Sequence, residues 1–463
     1  MKILFVVYDN GSYIHSFPIG IAYLASALRK NNHEVVIYNQ DIHHYKDEGL
    51  TRYLDENDFD VVGIGVIAGY YQYRKLLKIS EAINTSSNRP KHYVLGGHGP
   101  TPDPEYFLNI TGADIVVMGE GEVAFLNLLK AIECKEALNN VLGIAFKEED
   151  KIIINPRQPL IEDIDTIEWP AYDMFAIDHY RLTRSPNSTN EDFSMPILSA
   201  RGCTFKCNFC YRMDEGYRTR KPEAIIEEIQ YLRENYGINY IEFMDELLMS
   251  SKQRIIEVCE AIIKSKLKFK WYCNGRLNYA KAEELKLMKK AGCVFINYGI
   301  EAFDDDVLRK MNKSLSTTQI EEGIVATLKE RISPGFNIIF GHIGDTKETL
   351  NKGVEFLLKY DDGAQMRTIR PVTPYPGSPL YYHAIEKGLL KDCEDFYENK
   401  HSNSDLLAVN FTDMTDNEFH ESLFEANSRL LENYFRNKKK SVIQQARELY
   451  LDHNVNFRGF RQT

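Results

Sequence analysis

The sequence predicts an α/β protein with three parts: an N-terminal doubly wound, Rossmann-like domain, a central partial (β/α)6 TIM-like barrel, and a small C-terminal helical module. Three observations support this prediction. Short β-branched runs alternate with helical patterns in the first 150 residues, and a second series of six such units follows. Beyond about residue 380 the pattern is mostly helical and poor in glycine. The length of 463 residues suits about three domains.

The first domain, residues 1–150, is predicted from five short apolar runs with amphipathic stretches between them. Continuous apolar strands separated by helices indicate a parallel sheet that is covered on both faces. Ligands bind beyond the carboxyl ends of the strands in such a sheet, and several turns at that end are rich in glycine. The five predicted strands cover residues 3–8, 34–38, 61–66, 93–95 and 115–118.

A proline-rich, acidic segment over residues 151–193 is predicted to be a linker, and the barrel is expected over residues 194–380. Six βα units in about 180 residues fit an open, three-quarter barrel better than a closed one of eight units. The first barrel helix is well marked, with Pro222 near its start and Gly237 past its end. Residues 381–463 are assigned to the C-terminal helical domain. The six barrel strands are expected near residues 196–199, 240–244, 269–273, 294–298, 335–340 and 364–369.

Composition is that of an ordinary globular protein, with 43% hydrophobic and 27% charged residues. The formal net charge of -11 opposes non-specific attraction to nucleic acid or to an anionic membrane, so no nucleic-acid partner is expected. A basic run at Arg436, Lys438, Lys439 and Lys440 is interpreted as a solvated helix face. No apolar run approaches the roughly 20 residues that span a bilayer, and the N-terminal run is too short for a secretory signal. A cytoplasmic location is therefore expected.

Eight cysteines in such a chain are expected to be ligands or buried thiols rather than disulfides. Three of them, Cys203, Cys207 and Cys210, are spaced Cys-x-x-x-Cys-x-x-Cys directly after the first predicted barrel strand. Thiolates are the usual ligands of iron-sulfur clusters, and three of them leave one iron of a cubane open to substrate. The alternatives are a buried helix face, which Gly202 and the intervening polar residues weaken, and a zinc site with a distant fourth ligand.

This cysteine loop resembles the motif of the radical S-adenosylmethionine enzymes, Cys-x-x-x-Cys-x-aromatic-Cys, with Phe209 in the aromatic place. The resemblance implies a 4Fe-4S cluster whose open iron is chelated by S-adenosylmethionine, which is cleaved reductively to a 5'-deoxyadenosyl radical. It also implies cofactor contacts at the next strand ends: Asp245 and Glu246 near the methionine ammonium, Arg276 at its carboxylate and Glu301 at the ribose. The alternatives are a helix N-cap for the two acids and barrel-rim salt bridges.

Three segments resemble the cobalamin-binding domain that precedes the barrel in one large subfamily of these enzymes. They read FPIGIAYLA from Phe17, GGHGPT from Gly96 and DIVVMGEGE from Asp114, and PYPGSPL from Pro374 is also typical, so the match covers nearly the whole chain. Glycine at strand ends allows the close approach that a flat corrin needs; the alternative role is tight turns. The implied cobalamin contacts are Ser12, Ile14, His15, Phe17, Gly20, Gly65, Gly96, Gly97, His98, Gly119, Glu120, Gly121 and Glu122.

The Asp-x-His-x-x-Gly motif, whose histidine binds cobalt in many cobalamin proteins, is absent from the sequence. Within the resembled subfamily this implies cobalamin without a protein imidazole on the metal, an arrangement that favours the Co(I) nucleophile. His15 is a candidate neighbour of its lower face and His98 of its tail, with a solvated loop histidine as the favoured alternative for each. A nicotinamide site has only weak support, because Gly63-x-Gly65-x-x-x-Gly69 has the wrong spacing and follows the third strand.

The function implied by the resemblance is a cobalamin-dependent radical S-adenosylmethionine methyltransferase, which methylates an unactivated carbon by way of the 5'-deoxyadenosyl radical and methylcobalamin. One alternative is a cyclase or rearrangement enzyme with the same cofactors and no methyl transfer. A non-catalytic cobalamin sensor is a further alternative, although it would not need an open iron. An external one-electron donor is implied, and the substrate could be a small molecule, a lipid-like molecule or a peptide. Tyr375 and Tyr381 are candidate substrate contacts, with ordinary core packing as their alternative.

Overall fold

A computed structural model of the protein describes residues 1–9, 11, 16–454 and 460. Its first sheet has seven strands in the order β2-β1-β3-β4-β5-β6-β7, and the first five of these strands run parallel. This order reverses beside β1 and is a doubly wound arrangement, which confirms the prediction for the first domain. The five parallel strands are β1 (Lys2–Val7), β2 (Glu34–Asn39), β3 (Val61–Gly65), β4 (His92–Gly96) and β5 (Ile115–Val117).

Helices cover both faces of this sheet because its strands are apolar on both sides. Ile3, Phe5 and Val7 of β1 belong to one core, and Leu4 and Val6 belong to the other. Alternate side chains of a strand point to opposite faces, so the two cores lie on opposite sides of the sheet. The first core includes residues of α1 (Ile19–Lys30) and α6 (Gly121–Cys134). The second core includes residues of α3 (Asp47–Glu56), α4 (Tyr70–Asn84) and α5 (Pro104–Thr111). The short helix α2 (Gln40–His43) lies between β2 and α3 in the chain.

An antiparallel hairpin that the sequence did not predict extends the sheet. Its strands, β6 (Ile144–Glu148) and β7 (Lys151–Ile154), pair beside β5. The expected limit at residue 150 falls in the turn of this hairpin, so we propose residue 154 as the end of the first domain. The segment that follows contains one short helix, α7 (Ile177–Tyr180), and aromatic residues that pack against the first domain.

The second sheet forms the open barrel and begins with β8 (Ser194–Ile197). A two-stranded ribbon, β9 (Ala200–Gly202) and β10 (Tyr217–Thr219), then brackets the cysteine loop. The sheet has six parallel strands in the order β15-β14-β13-β12-β11-β8, with β15 and β8 at its edges, which confirms a partial barrel. The remaining strands are β11 (Tyr240–Phe243), β12 (Lys270–Gly275), β13 (Cys293–Glu301), β14 (Ser333–Phe340) and β15 (Arg370–Pro371).

The sixth barrel strand lies later than expected. It was predicted at residues 364–369, whereas β15 is only Arg370–Pro371. Arg367 forms ion pairs with Asp361 and Asp362. The segment before β15 therefore contributes to a buried ion-pair cluster and does not pair with a neighbouring strand. The apolar pattern of that segment reflects burial of Ile369 rather than strand pairing.

Six helices follow the strands on the outside of the barrel. The first begins with Pro222 and is followed by Gly237 in a left-handed conformation with φ of 68°, as predicted. The helices are α8 (Pro222–Tyr236), α9 (Lys252–Ser265), α10 (Ala282–Lys290), α11 (Asp305–Lys310), α12 (Thr317–Lys329) and α13 (Lys347–Lys359).

The C-terminal segment contacts both domains. It comprises α14 (Pro379–Glu386), a π-helical turn over Asp395–Lys400 and the long α15 (Asp416–Tyr450). Tyr397 of the turn stacks on Tyr73 of the first domain at 4.5 Å between ring centroids, whereas Phe419 of α15 stacks on Phe340 of β14 at 4.8 Å. We therefore propose that the described part of the predicted C-terminal domain, residues 381–454, joins the two domains. Within the described residues, no helix combines the length and the apolar character that crossing a bilayer requires.

Candidate cofactor site

The three predicted cluster cysteines lie on one loop that leaves the barrel between β9 and β10. Gly202 ends β9 with a φ of 84°, and Gly216 precedes β10 with a φ of 98°. A Cβ atom on Gly202 would overlap the carbonyl oxygen of Gly216, so the stem of the loop closes only with glycine at this position. The pairing of β9 with β10 therefore closes the base of the cysteine loop, residues 203–216, just after the first barrel strand.

Amide hydrogen bonds fasten the cysteine loop to neighbouring elements. The side chain of Asn208 donates to the carbonyl oxygen of Lys310 at 2.8 Å, and the backbone carbonyl oxygen of Asn208 accepts from the backbone N–H of Leu380 at 2.8 Å. The side chain of Asn312 donates to the carbonyl oxygen of Lys206 at 2.7 Å. The loop is thus tied both to the end of α11 and to the start of α14.

His342, which follows β14, forms a hydrogen bond with the same loop. Its Nε2 atom lies 2.9 Å from Oδ1 of Asn208, and its side chain is fully buried. Because the amide nitrogen of Asn208 already donates to Lys310, the imidazole is the donor in this hydrogen bond. Burial lowers the pKa of His342 to about 4, so the ring is neutral at physiological pH.

This buried histidine gives a prediction for stability against pH. The folded pKa of His342, about 4, lies below the ordinary value of 6.5, so between these pH values only the unfolded chain takes up the proton. The free energy of unfolding should therefore decrease as the pH falls through this window. Urea unfolding at pH 7 and pH 5 should show a smaller decrease for His342→Gln than for the wild type. The exposed His420→Gln is the matched control, and an equal decrease in all three proteins would contradict the assignment.

The three thiols lie in partly desolvated surroundings with one cationic neighbour, Arg276. Cys207 is buried, and Nη1 of Arg276 lies 3.6 Å from its sulfur while the guanidinium lies over the ring of Phe205. Desolvation and then the neighbouring thiols and Glu246 raise the pKa of Cys210 to about 12, and desolvation also raises that of Cys203. Iron binds only the deprotonated thiolate, so the arginine is the group that compensates the negative charge of this loop.

The three thiols on one short loop are the donor set that a cubane with one open iron requires. In the described chain, no group of three or more His, Cys, Asp or Glu side chains is arranged to hold one metal ion. The thiolates of a cubane each bind a different iron atom, so they need to surround a volume rather than converge on a point. The three thiols interact electrostatically with one another on one short loop. The residues present therefore fit a 4Fe-4S cluster.

The two acids predicted at the end of β11 have different surroundings. Asp245 is buried and accepts hydrogen bonds from the backbone of Ser199 at 2.6 Å and of Ala200 at 3.0 Å, and from the Ser199 hydroxyl. Glu246 is exposed, and within the described residues its carboxylate has no hydrogen-bond partner. Its charge raises the pKa of both Cys203 and Cys210, which places it beside the cysteine loop. Asp245 thus positions the strand before the cysteines, and Glu246 is the acid available to a ligand.

Glu301 occupies a strained position at the end of β13. Its φ is 70°, and the register with β14 shifts between Gly299 and Glu301. The carboxylate forms an ion pair with Nζ of the buried Lys313 at 2.8 Å. Nζ of Lys313 also lies 5.7 Å from the ring centroid of Phe209. The sequence did not single out Lys313, because nothing in its neighbourhood distinguishes it from the many exposed lysines.

Three asparagines form a ladder across the inner strands of the barrel, and the sequence analysis missed them. The side chain of Asn337 donates to Asn297 at 2.8 Å, and that of Asn297 donates to Asn274 at 3.0 Å. The side chain of Asn274 donates to the carbonyl oxygen of Asp245 at 2.8 Å. Each asparagine interrupts an otherwise apolar strand, which is the signal that could have revealed it. The ladder links β11, β12, β13 and β14 by side-chain hydrogen bonds.

Glu120 and Glu122 of the first domain bind arginines of the ribbon. Arg201 pairs with Glu120 at 3.1 Å and with Glu122 at 2.6 Å, and Arg218 pairs with Glu120 at 2.7 Å. Their side chains are at most 16% exposed. The predicted cobalamin contacts at these two positions are therefore engaged in an ion-pair cluster that joins the two domains beside the cysteine loop.

The glycine turns of the first domain lie at the carboxyl ends of β4 and β5. Gly97 has a φ of 94°, and a Cβ atom there would lie 2.6 Å from the carbonyl oxygen of Val66. Gly119 has a φ of 86° and faces Asp214 of the cysteine loop, where a Cβ would lie 3.0 Å from its carboxylate. A Cβ on Gly121 would lie 2.9 Å from Leu24. Gly97 and Gly119 therefore need glycine for turn geometry, whereas Gly121 packs closely against a flexible leucine side chain.

The other predicted cobalamin residues are placed differently. Phe17 is buried among the rings of Tyr172, Phe175 and Tyr180, so it packs the linker against the first domain. A Cβ atom on Gly20 would point into open space. Gly65 and Gly96 end β3 and β4, with their nearest neighbours at 3.6 Å from a built Cβ. The predictions for Ser12, Ile14 and His15 lie outside the described residues.

Three motifs that are far apart in the sequence meet at Tyr211 of the cysteine loop. Its ring packs edge-on to His98, with 6.1 Å between centroids. A Cβ atom on Gly377 would lie 2.6 Å from the Tyr211 ring and 2.8 Å from Pro102. The cysteine loop, the turn after β4 and the segment from Pro374 to Leu380 therefore share one contact region.

Tyr375 and Tyr381, the predicted substrate contacts, lie in aromatic packing between the first domain and the C-terminal segment. Tyr381 is buried in that core. Tyr375 packs edge-on against Phe396 and His401. Their surroundings match the core-packing alternative.

Comparison with known proteins adds two family models. Residues 11–129 match the model described as B12 binding domain, and residues 197–357 match the Radical SAM superfamily. The two matched regions are the first domain and the barrel with its cysteine loop.

Individual proteins agree with these matches. An uncharacterized methyltransferase of Pyrococcus horikoshii is 30% identical over 401 residues, with 84% of each chain covered. The anaerobic magnesium-protoporphyrin IX monomethyl ester cyclase of Cereibacter sphaeroides is 29% identical over 398 residues, which are 82% of this chain and 63% of that protein. The structure of the cobalamin-dependent S-adenosylmethionine radical enzyme OxsB has a TM-score of 0.74 at 18% identity, covering 91% of this chain and 66% of OxsB. That structural likeness supports the fold.

Proposed function

Because this chain belongs to the cobalamin-dependent radical S-adenosylmethionine enzymes, we propose that it is a methyltransferase that acts on an unactivated carbon atom. The observation that carries the proposal is the contact of the cysteine loop with the glycine turns of the first domain, because such an enzyme must present two cofactors to one substrate. The cofactors of the family are a 4Fe-4S cluster, S-adenosylmethionine and cobalamin. When bound, they supply radical formation and methyl transfer, and the protein supplies binding and orientation.

In this proposal Cys203, Cys207 and Cys210 hold the cluster. Arg276 stabilises the thiolate of Cys207 by charge and keeps its own position by stacking on Phe205. The guanidinium also donates to the carbonyl oxygen of Lys313, so the cysteine loop and the end of β12 are held to the segment after α11.

Glu246 binds the ammonium group of S-adenosylmethionine, because it is the exposed carboxylate beside the cysteines. The pKa of Glu246 is raised by desolvation and by Asp214 and Asp245, and a bound ammonium would favour its ionised form. Phe209 and Glu301 both lie beside Lys313, and we propose them as further contacts of S-adenosylmethionine. Glu301 already accepts from Lys313 and retains a second carboxylate oxygen for a ligand hydroxyl.

Cobalamin lies at the carboxyl edge of the first sheet in this proposal. Gly20 and Gly65 leave room for close approach, and His98 is exposed at the same edge. Glu120 and Glu122 act indirectly, by holding the two domains together through Arg201.

The proposed reaction also requires an external one-electron donor. The cysteines that hold the cluster must stay reduced, and a reducing compartment keeps them so. We therefore propose a cytoplasmic location.

A cyclase without methyl transfer is the second candidate, because a relative with 29% identity bears that name. The experiment uses S-adenosylmethionine with a deuterated methyl group. The holoenzyme, with cluster and cobalamin, is incubated anaerobically under reduction with a fraction of small metabolites, and products are analysed by mass spectrometry. A product that carries the intact deuterated methyl group supports the methyltransferase. A product formed with 5'-deoxyadenosine but without label would contradict it and favour the cyclase.

A further inference from the structure

The second half of α15 extends beyond the barrel. Leu430 is the last residue of this helix that is buried, and the side chains of Arg429 and Asn433 make contacts with Glu355 and Asp361 of the barrel. From residue 435 to residue 450 every side chain is exposed or partly exposed. We call residues 435–450 the C-terminal arm. At 1.5 Å per residue the arm is roughly 24 Å long.

The arm carries an apolar stripe that Lys439 interrupts. At about 100° per residue, its apolar side chains fall within an arc of about 120° on one side of the helix. Phe435 is 59% exposed, Ile443 57% and Tyr450 65%, so this stripe is not covered by the rest of the described chain. The residues of the stripe are Phe435, Val442, Ile443, Ala446, Leu449 and Tyr450.

Basic side chains border the stripe on both sides. Arg436, Lys440 and Arg447 follow one edge and Lys438 follows the other, while Lys439 lies within the stripe, where its long chain can reach outward. The arm has these five bases against one acid, Glu448, in a chain whose net charge is -11. In the described part of the protein none of the five bases has a carboxylate within ion-pairing distance. The far side of the arm carries uncharged residues such as Gln444 and Ser441.

We propose that the C-terminal arm binds the surface of an anionic lipid bilayer, lying in the plane of the interface with its apolar stripe among the acyl chains. Bases on both flanks of an apolar stripe match the headgroup and acyl layers of such a surface. A nucleic acid would engage the bases and leave the stripe in water. A second copy of the arm would cover the stripe but would bring two strongly basic segments together. This inference is independent of the proposed reaction, because it uses no residue of the cysteine loop or of the cofactor site.

The test is flotation of the full-length protein with vesicles. One set of vesicles contains phosphatidylcholine alone, and the other contains phosphatidylcholine mixed with phosphatidylglycerol. The protein should bind the anionic vesicles, and salt should weaken the binding. Replacement of Lys438, Lys439 and Lys440 by glutamine should weaken it by roughly a hundredfold, since three bases near an anionic surface are removed together.

Two further variants distinguish binding through the apolar stripe from non-specific hydrophobic adsorption. Phe435→Ser with Ile443→Ser should also lose most of the binding, whereas Phe424→Ser should not. Phe424 is 73% exposed on the same helix but lies before the arm, which makes it the matched control. Circular dichroism verifies that each variant keeps its helical content.

The proposal is overturned if the wild type fails to float with anionic vesicles, or if the arm variants float as well as the wild type. It is equally overturned if the arm variants convert a dimer into a monomer in light scattering while vesicle binding is absent, because the stripe would then cover a second copy.

Discussion

Cys207→Ala is expected to abolish cluster assembly and with it all reductive cleavage of S-adenosylmethionine. Cys207 is the buried member of the three thiols and the one in contact with Arg276. Without its thiolate a cubane keeps two protein ligands, and the positive charge of Arg276 loses its partner on the loop. After anaerobic reconstitution, iron and sulfide content should fall to background, and 5'-deoxyadenosine should be undetectable.

Cys134→Ala is the matched control for this experiment. Cys134 is an exposed thiol at the end of α6 in the first domain, remote in sequence from the cysteine loop. The control should retain iron, sulfide and 5'-deoxyadenosine formation at the wild-type level. A Cys207→Ala protein that still assembled a stable cluster and formed 5'-deoxyadenosine would show that the cluster is held elsewhere.

Arg201→Met is expected to lower the free energy of unfolding by about 3 to 5 kcal/mol, the cost of leaving a buried carboxylate without its partner. Glu122 would lose its ion pair with Arg201, whereas Glu120 would keep Arg218. The double variant Arg201→Met with Glu122→Met should regain part of this loss, because it removes both charges. Urea unfolding of the wild type, both single variants and the double variant measures the coupling.

Arg29→Met provides the comparison with an exposed ion pair. Arg29 pairs with Asp173 at 2.7 Å, but their side chains are 40% and 57% exposed, so the expected loss is below about 1 kcal/mol. Equal losses for Arg201→Met and Arg29→Met, or no recovery in the double variant, would contradict the role of the buried cluster between the domains. Because this cluster joins the first domain to the ribbon, Arg201→Met should also reduce retention of cobalamin during gel filtration.

The features that could be read from the sequence are those with a local pattern. The strands of both sheets were predictable because apolar runs such as Val61–Gly65 are bounded by turns, and the cysteine loop because its spacing is specific. The hairpin of β6 and β7 was missed, because an acidic turn joins its two short strands and acidic composition is typical of a linker. The last barrel strand was misplaced because two paired residues leave almost no pattern.

Site residues were harder to predict, because their roles depend on partners from distant segments. Asp245 and Glu246 are adjacent in sequence, yet Asp245 accepts a hydrogen bond from the backbone of Ser199 whereas Glu246 is exposed. The partner of Glu301 is Lys313, which only the turn after α11 brings into reach. The role of Glu120 likewise follows from the position of Arg218 in the ribbon.

We infer that the barrel and the first domain of this chain work together in methyl transfer. The most direct test of this inference is to reconstitute the protein anaerobically with iron and sulfide, with or without cobalamin, and to quantify 5'-deoxyadenosine and S-adenosylhomocysteine under reduction. We predict that 5'-deoxyadenosine requires the cluster, and that S-adenosylhomocysteine appears only when cobalamin is also present. Formation of 5'-deoxyadenosine with no S-adenosylhomocysteine in the presence of cobalamin would contradict the inference.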